Sequence, residues 1–310
     1  MIELVDLTKK FKHNKAVKKL NMFIEKGEIV GLLGPNGAGK STAISMMSSL
    51  AEPTSGDVRL NNKSILKNPA PLRKIVGMVP QEIALYDDLT AEENMRFFGR
   101  VYRLKGDALK RKIDEVLDQI GLSDRRKQVV SKFSGGMKRR LNIGVAMLHE
   151  PELLIMDEPA VGIDPQSRNY ILETVKHLNE ERKMTVLYTS HYMEEVEFLC
   201  DRIYIMDQGN LIASGTKEDI KQILSAEKTI SIKASRLNDH FIELLQNTPT
   251  INRVAAGDKE VTITVPKEIN MFPKLISLAE ESKLELSSVD AKTPTLEDVF
   301  LHLTGRALRD

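Results

Sequence analysis

A glycine-rich loop between a strand-like and a helix-like run is the segment that most constrains the fold of this 310-residue chain. Residues 34–41 read G-x-x-x-x-G-K-S, after a β-prone run at 28–33 and before a helix-like run at 41–50. Glycines in such a loop let backbone N–H groups wrap around phosphate oxygens. Lys40 is then placed to reach the outer phosphates, and the Ser41 hydroxyl to reach Mg²⁺. The pattern predicts a phosphate-binding loop rather than a plain glycine-rich turn.

Strand-like and helix-like segments alternate through the first two-thirds of the chain, which predicts an α/β core with a mainly parallel sheet. Further strands are predicted at 75–79, 153–156 and 185–189. The run 153–156 is wholly apolar, as expected for a strand that is covered on both faces. Residues 202–213 are typical of a β-hairpin with its turn at 207–210.

A helix-rich segment interrupts this alternation at about residues 82–148, and we interpret it as an inserted helical subdomain. Thr90 and Glu93 form a capping-box pattern, which predicts a helix that extends to about residue 104. A second helix is predicted at 107–120, because apolar residues recur there at helical spacing.

The pattern changes near residues 225–228, where we place a domain boundary between residues 1–224 and 226–310. Beyond it, residues 229–233 and 260–265 alternate strictly between apolar and polar, as in half-exposed strands. The second part is therefore predicted to be a small α+β domain. Its helical patterns fall at about 237–247, 270–283 and 295–303.

Charge and cysteine content exclude some function classes. The formal net charge is +1, from 45 basic and 44 acidic residues, which argues against a chain built mainly to hold nucleic acid. The single cysteine, Cys200, permits no intramolecular disulfide and fits a reducing compartment. No apolar run approaches the roughly 18 residues that cross a bilayer, so we expect any membrane role to come through a partner.

Two adjacent carboxylates follow the apolar run 153–156. Asp157 is the natural ligand for Mg²⁺, reached through Ser41 or a water molecule. Adjacent residues at the end of a strand point in different directions, so Glu158 is free to face an attacking water as a general base. The alternative is that Glu158 is a capping carboxylate before the turn at Pro159.

Two further polar residues follow predicted strands. Gln81 comes after a strand and a proline, and its neutral amide is suited to sense a metal and a γ-phosphate. His191 follows the strand at 185–189 and is suited to hydrogen-bond a γ-phosphate and to hold Glu158 or the water. A loop glutamine and an incidental histidine are the alternatives for these two residues.

A second anion site is predicted at Ser134, Gly135 and Gly136, which open a basic helical stretch. A helix N-terminus with a small hydroxyl residue and two glycines offers free N–H groups and the positive end of the helix dipole. Because the chain already has one phosphate loop, we interpret this second site as one for the phosphate of another copy of the protein. The cations at 138–140 are interpreted as a solvated helix start rather than a nucleic-acid site. Asp164, followed by proline, predicts the start of a later helix that ends at about 182.

Over about residues 2–224 the sequence resembles ATP-binding cassette (ABC) ATPases, because six motifs occur in that family's order. The Walker A motif comprises Gly34, Pro35, Asn36, Gly37, Ala38, Gly39, Lys40, Ser41 and Thr42. The others are the Q-loop at Gln81, the signature at 133–137, Walker B with the catalytic glutamate at 153–158, the D-loop at 161–164 and the switch histidine His191. The signature departs from the usual pattern at Phe133 and Met137, and Ala160 replaces the usual threonine after Glu-Pro.

The resemblance implies an ATPase that uses ATP and Mg²⁺. It assigns catalysis to Glu158, His191 and Lys40, and the metal to Ser41, Gln81 and Asp157. It assigns ATP to Walker A, Gln81, Ser134, Gly135, Gly136 and Asp164. Phe11 falls where the family places an aromatic ring that stacks on adenine, and the alternative is packing in the core of the first hairpin.

The resemblance also implies partners. Two cassettes of the family sandwich two ATP molecules head to tail, so a homodimer, or a heterodimer with a similar cassette, is expected. The tail 296–306 is similar to that of ATPase subunits of drug- and antibiotic-resistance exporters, which pair with a separate permease. Residues 226–310 then form an accessory domain or a stabilising appendage, and the chain is expected in the cytoplasm, on the inner face of the membrane. The alternatives are a soluble ABC protein of translation or DNA repair and a regulator that binds ATP without hydrolysing it.

Overall fold

A computed structural model describes residues 1–12, 14–223, 227–234, 237–257, 260–292 and 295–304. Its strands are β1 (Ile2–Phe11), β2 (Asn14–Ile24), β3 (Ile29–Leu33), β4 (Ser55–Leu60), β5 (Lys63–Ser64), β6 (Val76–Val79), β7 (Leu153–Met156), β8 (Thr185–Ser190), β9 (Arg202–Asp207), β10 (Asn210–Thr216), β11 (Glu227–Ala234), β12 (Arg253–Ala256), β13 (Glu260–Pro266) and β14 (Leu286–Lys292). Its α-helices are α1 (Lys40–Met47), α2 (Ala70–Ile75), α3 (Ala91–Val101), α4 (Gly106–Gln119), α5 (Gly135–Met147), α6 (Pro165–Arg182), α7 (Met193–Leu199), α8 (Lys217–Gln222), α9 (Asp239–Gln246), α10 (Phe272–Glu281) and α11 (Leu296–Thr304).

The structure divides into two compact units between Lys217 and Glu218. In the first unit, six strands form a sheet in the order β10-β9-β3-β8-β7-β6. The strands from β9 to β6 pair in parallel, and β10 joins β9 as an antiparallel hairpin. The predicted α/β core and the hairpin at 202–213 are therefore confirmed.

The parallel strands are buried on both faces. Every residue of β3, β7 and β8 is buried, which accounts for their almost continuous apolar sequences. Because these strands run in the same direction, the segments that follow β3, β6, β7 and β8 leave the sheet at the same edge. Ligand sites of open α/β sheets lie at this edge.

The N-terminal antiparallel sheet has the order β2-β1-β4-β5. The bounds of the long β1–β2 hairpin were not predicted, and the structure shows that its alternation is irregular. Its register shifts at three places between Leu4 and Lys10, and Asp6 and Lys19 adopt left-handed φ values of 45° and 49°. Each shift changes which residues face the core, so apolar and polar residues no longer alternate with a period of two along these strands.

The helical segment contains the two predicted helices, α3 and α4. Thr90 caps α3: its hydroxyl accepts a hydrogen bond from the Glu93 N–H at 3.2 Å, and the Glu93 carboxylate accepts one from the Thr90 N–H at 2.8 Å. The predicted capping box is thus confirmed. The helix ends at Val101, earlier than residue 104, because Arg103 adopts a left-handed φ of 66°.

The second unit contains the pattern β11-α9-β12-β13-α10-β14, with its strands in the order β12-β13-β11-β14 and all pairs antiparallel. This arrangement is the ferredoxin-like βαββαβ fold. Alternate residues Val261, Ile263 and Val265 of β13 point into the core and pack with Phe241 and Leu275 from α9 and α10. The small α+β fold predicted after residue 226 is confirmed for the described residues.

No described helix of either unit combines the length and the apolar content that crossing a membrane requires.

Candidate active site

The phosphate loop connects β3 to α1, and its backbone conformation requires glycine. Gly37 and Gly39 adopt left-handed φ values of 81° and 107°. A Cβ on Gly39 would overlap the carbonyl oxygen of Ala16. Gly39 is also the N-cap of α1, and no described side chain caps this helix. The first N–H groups of α1 are therefore available for an anion.

A cavity of about 530 Å³ lies over this loop, a size typical of small-ligand sites. Among its described lining residues, Lys15, Lys18 and Lys40 are cationic and Glu158 is the one carboxylate. This balance fits a polyphosphate. The lining residues are Asn14, Lys15, Ala16, Lys18, Asn36, Gly37, Ala38, Gly39, Lys40, Ser41, Thr42, Gln81, Glu158, Gln208 and Gly209.

Lys40 lies at the centre of the site and is almost completely buried. Its ammonium donates hydrogen bonds to the carbonyl oxygens of Gly34 at 2.7 Å and Pro35 at 3.2 Å. It also forms an ion pair with Glu158 Oε1 at 3.0 Å. Lys40 therefore joins the phosphate loop to the end of β7.

Asp157 and Glu158 follow β7, and Thr189 of β8 holds both of them. The Thr189 hydroxyl donates to Asp157 Oδ1 at 2.8 Å and accepts from the Glu158 N–H at 2.9 Å. Glu158 adopts a left-handed φ of 46°, an uncommon conformation for a residue with a side chain. The Asp157 carboxylate accepts a hydrogen bond from Thr189, whereas the Glu158 carboxylate forms an ion pair with Lys40.

Gln81 and His191 converge on Glu158. The Gln81 amide donates to Glu158 Oε2 at 3.2 Å, and His191 Nδ1 lies 3.4 Å from the same oxygen. With Lys40 on Oε1, three side chains from three sheet-edge segments surround one carboxylate. The structure thus brings Lys40, Gln81, Glu158 and His191 together, as a site of acid–base chemistry at a phosphate would need.

The oxygen-bearing side chains at this edge are of the type that a divalent cation prefers as ligands. Within the described residues, no group of three or more His, Cys, Asp or Glu side chains could hold a metal ion. The Ser41 hydroxyl and Asp157 carboxylate are hard oxygen donors, which suit Mg²⁺ together with phosphate oxygens and water.

The signature lies on a different helix. Ser134 caps α5, and its hydroxyl accepts from the Met137 N–H at 3.3 Å. Asp164 caps α6 by accepting from the Ser167 N–H at 2.9 Å. A Cβ on Gly136 would overlap the Ser167 side chain, so α5 and α6 begin in contact. Ser134, Gly135, Gly136 and Asp164 do not line the cavity over the phosphate loop.

Phe11 ends β1 and is 52% exposed, which excludes the alternative that it packs in the hairpin core. The ammonium of Lys9 lies 5.2 Å from the centre of its ring. Phe11 does not line the cavity over the phosphate loop, and its stacking on adenine stays a prediction.

A buried network that was not predicted from the sequence lies behind His191. The Glu195 carboxylate accepts from the Tyr188 hydroxyl at 3.0 Å and from the Ser190 hydroxyl at 2.8 Å, and Arg168 lies 3.4 Å away. Burial raises the pKa of the Glu195 carboxyl. The Ser190 hydroxyl in turn accepts from the Tyr192 N–H at 2.9 Å, which fixes the backbone on both sides of His191.

Thr189 was also missed, although a polar residue at the end of a completely buried strand was a usable signal. We predict that Thr189→Val destabilises the protein by about 2 kcal/mol, because the Glu158 N–H loses its buried acceptor. Turnover should also fall roughly 10-fold or more, because both carboxylates lose their fixed positions. Urea unfolding and steady-state turnover measure the two effects.

Thr185→Val is the matched control. Thr185 is equally buried at the other end of β8, where its hydroxyl accepts from the Gly27 N–H at 2.9 Å. Thr185→Val should lower the free energy of unfolding by a similar amount without lowering turnover. Equal turnover losses in both variants would contradict a specific role for Thr189.

Comparison with known proteins gives consistent results. A family model described as ABC transporter matches residues 17–161. The chain is 48% identical over 312 residues to the linearmycin resistance ATP-binding protein LnrL of Bacillus subtilis (strain 168), with 100% of both chains covered. It is 31% identical to the doxorubicin resistance ATP-binding protein DrrA of Mycobacterium tuberculosis (strain CDC 1551 / Oshkosh), with 93% of this chain and 88% of the relative covered.

A solved structure, the dimeric post-hydrolysis state of the ATP-binding cassette MJ0796 bound to ADP and Pi, matches with a TM-score of 0.64 at 28% identity. The match covers 70% of this chain and 98% of that one. Fold, site geometry and full-length relatives agree, and the chain belongs to the ABC transporter family as one of its ATP-binding proteins, an ABC ATPase.

Proposed function

We propose that this chain is the ATP-hydrolysing subunit of an ABC exporter. In this proposal two copies, or this chain and a similar cassette, close head to tail around two ATP molecules and drive a separate membrane permease from its cytoplasmic face. The observation that carries it is the convergence of Lys40, Gln81 and His191 on Glu158 beside the phosphate loop. Full-length similarity to the linearmycin resistance protein supports export of an antibiotic-like compound.

The proposed division of labour follows the two structural units. Residues 1–224 form the nucleotide-binding domain, with a helical subdomain at about 82–148, and residues 226–310 form an accessory domain. The structural division lies between Lys217 and Glu218, slightly before this boundary, and it supports two separate units.

Glu158 is the proposed general base. Its carboxylate accepts a proton from the water that attacks the γ-phosphorus, while the leaving group is ADP. His191 holds the carboxylate in place, and Lys40 offsets negative charge on the transferring phosphoryl group. Mg²⁺ would be held by Ser41, Asp157 and Gln81, where it supplies further neutralisation of phosphate charge.

Ser134, Gly135 and Gly136 complete the site of the other subunit in this proposal. Their position outside the cavity lined by the phosphate loop supports a role in trans. The capped N-terminus of α5 presents the amides that would contact the partner's γ-phosphate, and Asp164 lies at the adjoining start of α6.

Phe11 is the proposed adenine platform. We expect Phe11→Ala to weaken ATP binding by about 1–3 kcal/mol, because stacking of a base on an aromatic ring contributes about that much. ATP titration of the purified chain measures this. Phe23→Ala, which removes another exposed ring from the same hairpin, should leave affinity unchanged. Equal losses in the two variants would contradict the assignment.

The helical subdomain offers a surface for the permease. Tyr86, Phe97 and Val101 are exposed, and the Tyr86 and Phe97 rings pack edge to face at 4.9 Å. Arg96 and Arg100 line the same cavity of about 500 Å³ as Phe97 and Val101. Exposed aromatic side chains beside arginines are typical of binding hot spots. Gln81 lies shortly before Tyr86 in the sequence. This proximity supports a connection between the bound permease and the nucleotide site.

Copurification tests this partner. The permease should copurify with the wild-type chain, and Phe97→Ala should lower its yield by about 10-fold or more, since one hot-spot aromatic contributes at least 2 kcal/mol. Phe198→Ala is the control: Phe198 is similarly exposed but lies on α7, where Lys176 covers its ring. An unchanged permease yield with Phe97→Ala would contradict docking at this surface.

A further inference from the structure

A buried arginine on the signature helix is hydrogen-bonded to the backbone of the Q-loop. Arg139 lies on α5 and is only 4% exposed. Its two terminal nitrogens donate to the carbonyl oxygens of Pro80 at 2.8 Å and Gln81 at 2.6 Å. Among the described residues no carboxylate lies within 4.0 Å of the guanidinium. A buried guanidinium is costly, and here the compensation comes from two backbone oxygens.

A second contact lies one turn further along the same face of α5. Asn142 is buried, and its side-chain oxygen accepts from the Ala84 N–H at 3.3 Å. Arg139 and Asn142 therefore hold the segment 80–84 at both of its ends. The carbonyls at one end and the amide at the other leave this segment little freedom to move independently of α5.

The held segment carries the side chain that reaches the catalytic carboxylate. Gln81 is fixed by its carbonyl to Arg139 and by its amide to Glu158 Oε2. The same helix begins at the signature, where Ser134 is its N-cap. The helix α5 thus connects the signature at its start to Gln81 through Arg139, and Gln81 in turn contacts Glu158.

We infer that Arg139 is a positioning residue that sets Gln81 against Glu158 and makes Gln81 follow any movement of α5. This inference rests on the proposed function, because it takes Gln81 as a sensor of metal and γ-phosphate. It adds a physical connection from the signature, which meets the nucleotide of the other subunit, to the carboxylate of the chain's own site. A guanidinium suits this task because its planar fork places two donors in fixed directions.

The test is a double-mutant cycle on the full chain. Variants Arg139→Gln, Gln81→Ala and their combination are compared for kcat, for KM of ATP and for the Mg²⁺ concentration that gives half-maximal activity. Arg139→Gln should lower kcat by about 10- to 100-fold and raise the half-maximal Mg²⁺ concentration, with KM changed less than about two-fold. The combination should be no worse than Gln81→Ala, because both changes remove the same interaction.

The matched control is Arg140→Gln. Arg140 is the next residue of the same helix. It also donates to backbone carbonyls, but to those of Ile120 and Gly121, and among the described residues it forms no hydrogen bond with the Q-loop. It should leave the Mg²⁺ dependence unchanged, whatever it does to stability. Arg139→Lys keeps the charge but not the fork, and it should restore turnover in part. Hydrogen exchange at residues 81–85 should rise in Arg139→Gln and stay at the wild-type level in Arg140→Gln.

The outcomes are distinguishable. Losses of kcat that multiply in the double variant, or equal Mg²⁺ shifts in Arg139→Gln and Arg140→Gln, would overturn the role of Arg139 while the proposed function stands. Unchanged exchange at 81–85 in Arg139→Gln would overturn it as well. If Gln81→Ala itself changes neither kcat nor the Mg²⁺ dependence, then the proposed role of Gln81 fails, and the inference fails with it.

Discussion

Glu158→Gln should lower ATP turnover by about 10²- to 10⁴-fold, the range that a positioned general base contributes. Glutamine keeps the shape of the side chain and can still contact its neighbours, but its amide cannot take a proton from water. The buried Glu158 carboxylate contacts Lys40, Gln81 and His191. No other described carboxylate has these three contacts, so none is placed to replace Glu158 as the base. ATP binding should persist, because the phosphate loop is unchanged.

Steady-state turnover and ATP titration of the full chain measure the two quantities. With hydrolysis blocked, ATP-dependent dimers should also accumulate and be visible by size-exclusion chromatography. Glu152→Gln is the control, because Glu152 forms an exposed pair with Lys26 at 3.0 Å. Its contribution to stability should be small and its effect on turnover negligible. Unchanged turnover in Glu158→Gln would remove Glu158 from the role of general base.

Ser134→Arg should abolish ATP-driven dimerisation while a single subunit still binds ATP. Ser134 is exposed at the N-terminus of α5 and does not line the cavity over the chain's own phosphate loop. An arginine there would fill the space in which the partner's γ-phosphate is proposed to lie. The loss of the N-cap by itself should cost about 1 kcal/mol of stability.

Ser134→Ala separates the two effects, since it removes the cap without adding bulk. Both changes are best introduced into the Glu158→Gln chain, where dimers should persist long enough to be counted. We expect dimers with Ser134→Ala and none with Ser134→Arg, at similar ATP affinity. Loss of ATP binding together with dimerisation, or no change in either, would contradict a role in trans.

The backbone conformation of the site could be predicted where it depends on residues that are close together in the sequence. The phosphate loop, the strand before Asp157 and the capping box at Thr90 are each specified by residues close together in the chain, and each was found where it was predicted. The end of α1 was less predictable: it ends at Met47 rather than at residue 50, because Ser49 adopts a left-handed φ of 59°.

The supporting contacts could not be predicted because they join distant parts of the chain. Thr189 is 31 residues from Glu158, and Arg139 is 58 from Gln81. In the sequence, Arg139 stands between two other cations and is indistinguishable from a solvated residue. The interpretation of 138–140 as a solvated helix start is therefore wrong at Arg139, whose burial depends on how α5 packs against the sheet edge.

The central claim is that each signature completes the other subunit's site, and complementation between two inactive variants tests it most directly. Lys40→Ala removes the phosphate-loop ammonium and Ser134→Arg blocks the signature, so each should be inactive alone. In a mixed head-to-tail dimer both lesions fall in one site, and the other site is intact. Random mixing should therefore restore about a quarter of wild-type turnover. A mixture as inactive as its two components would contradict the claim.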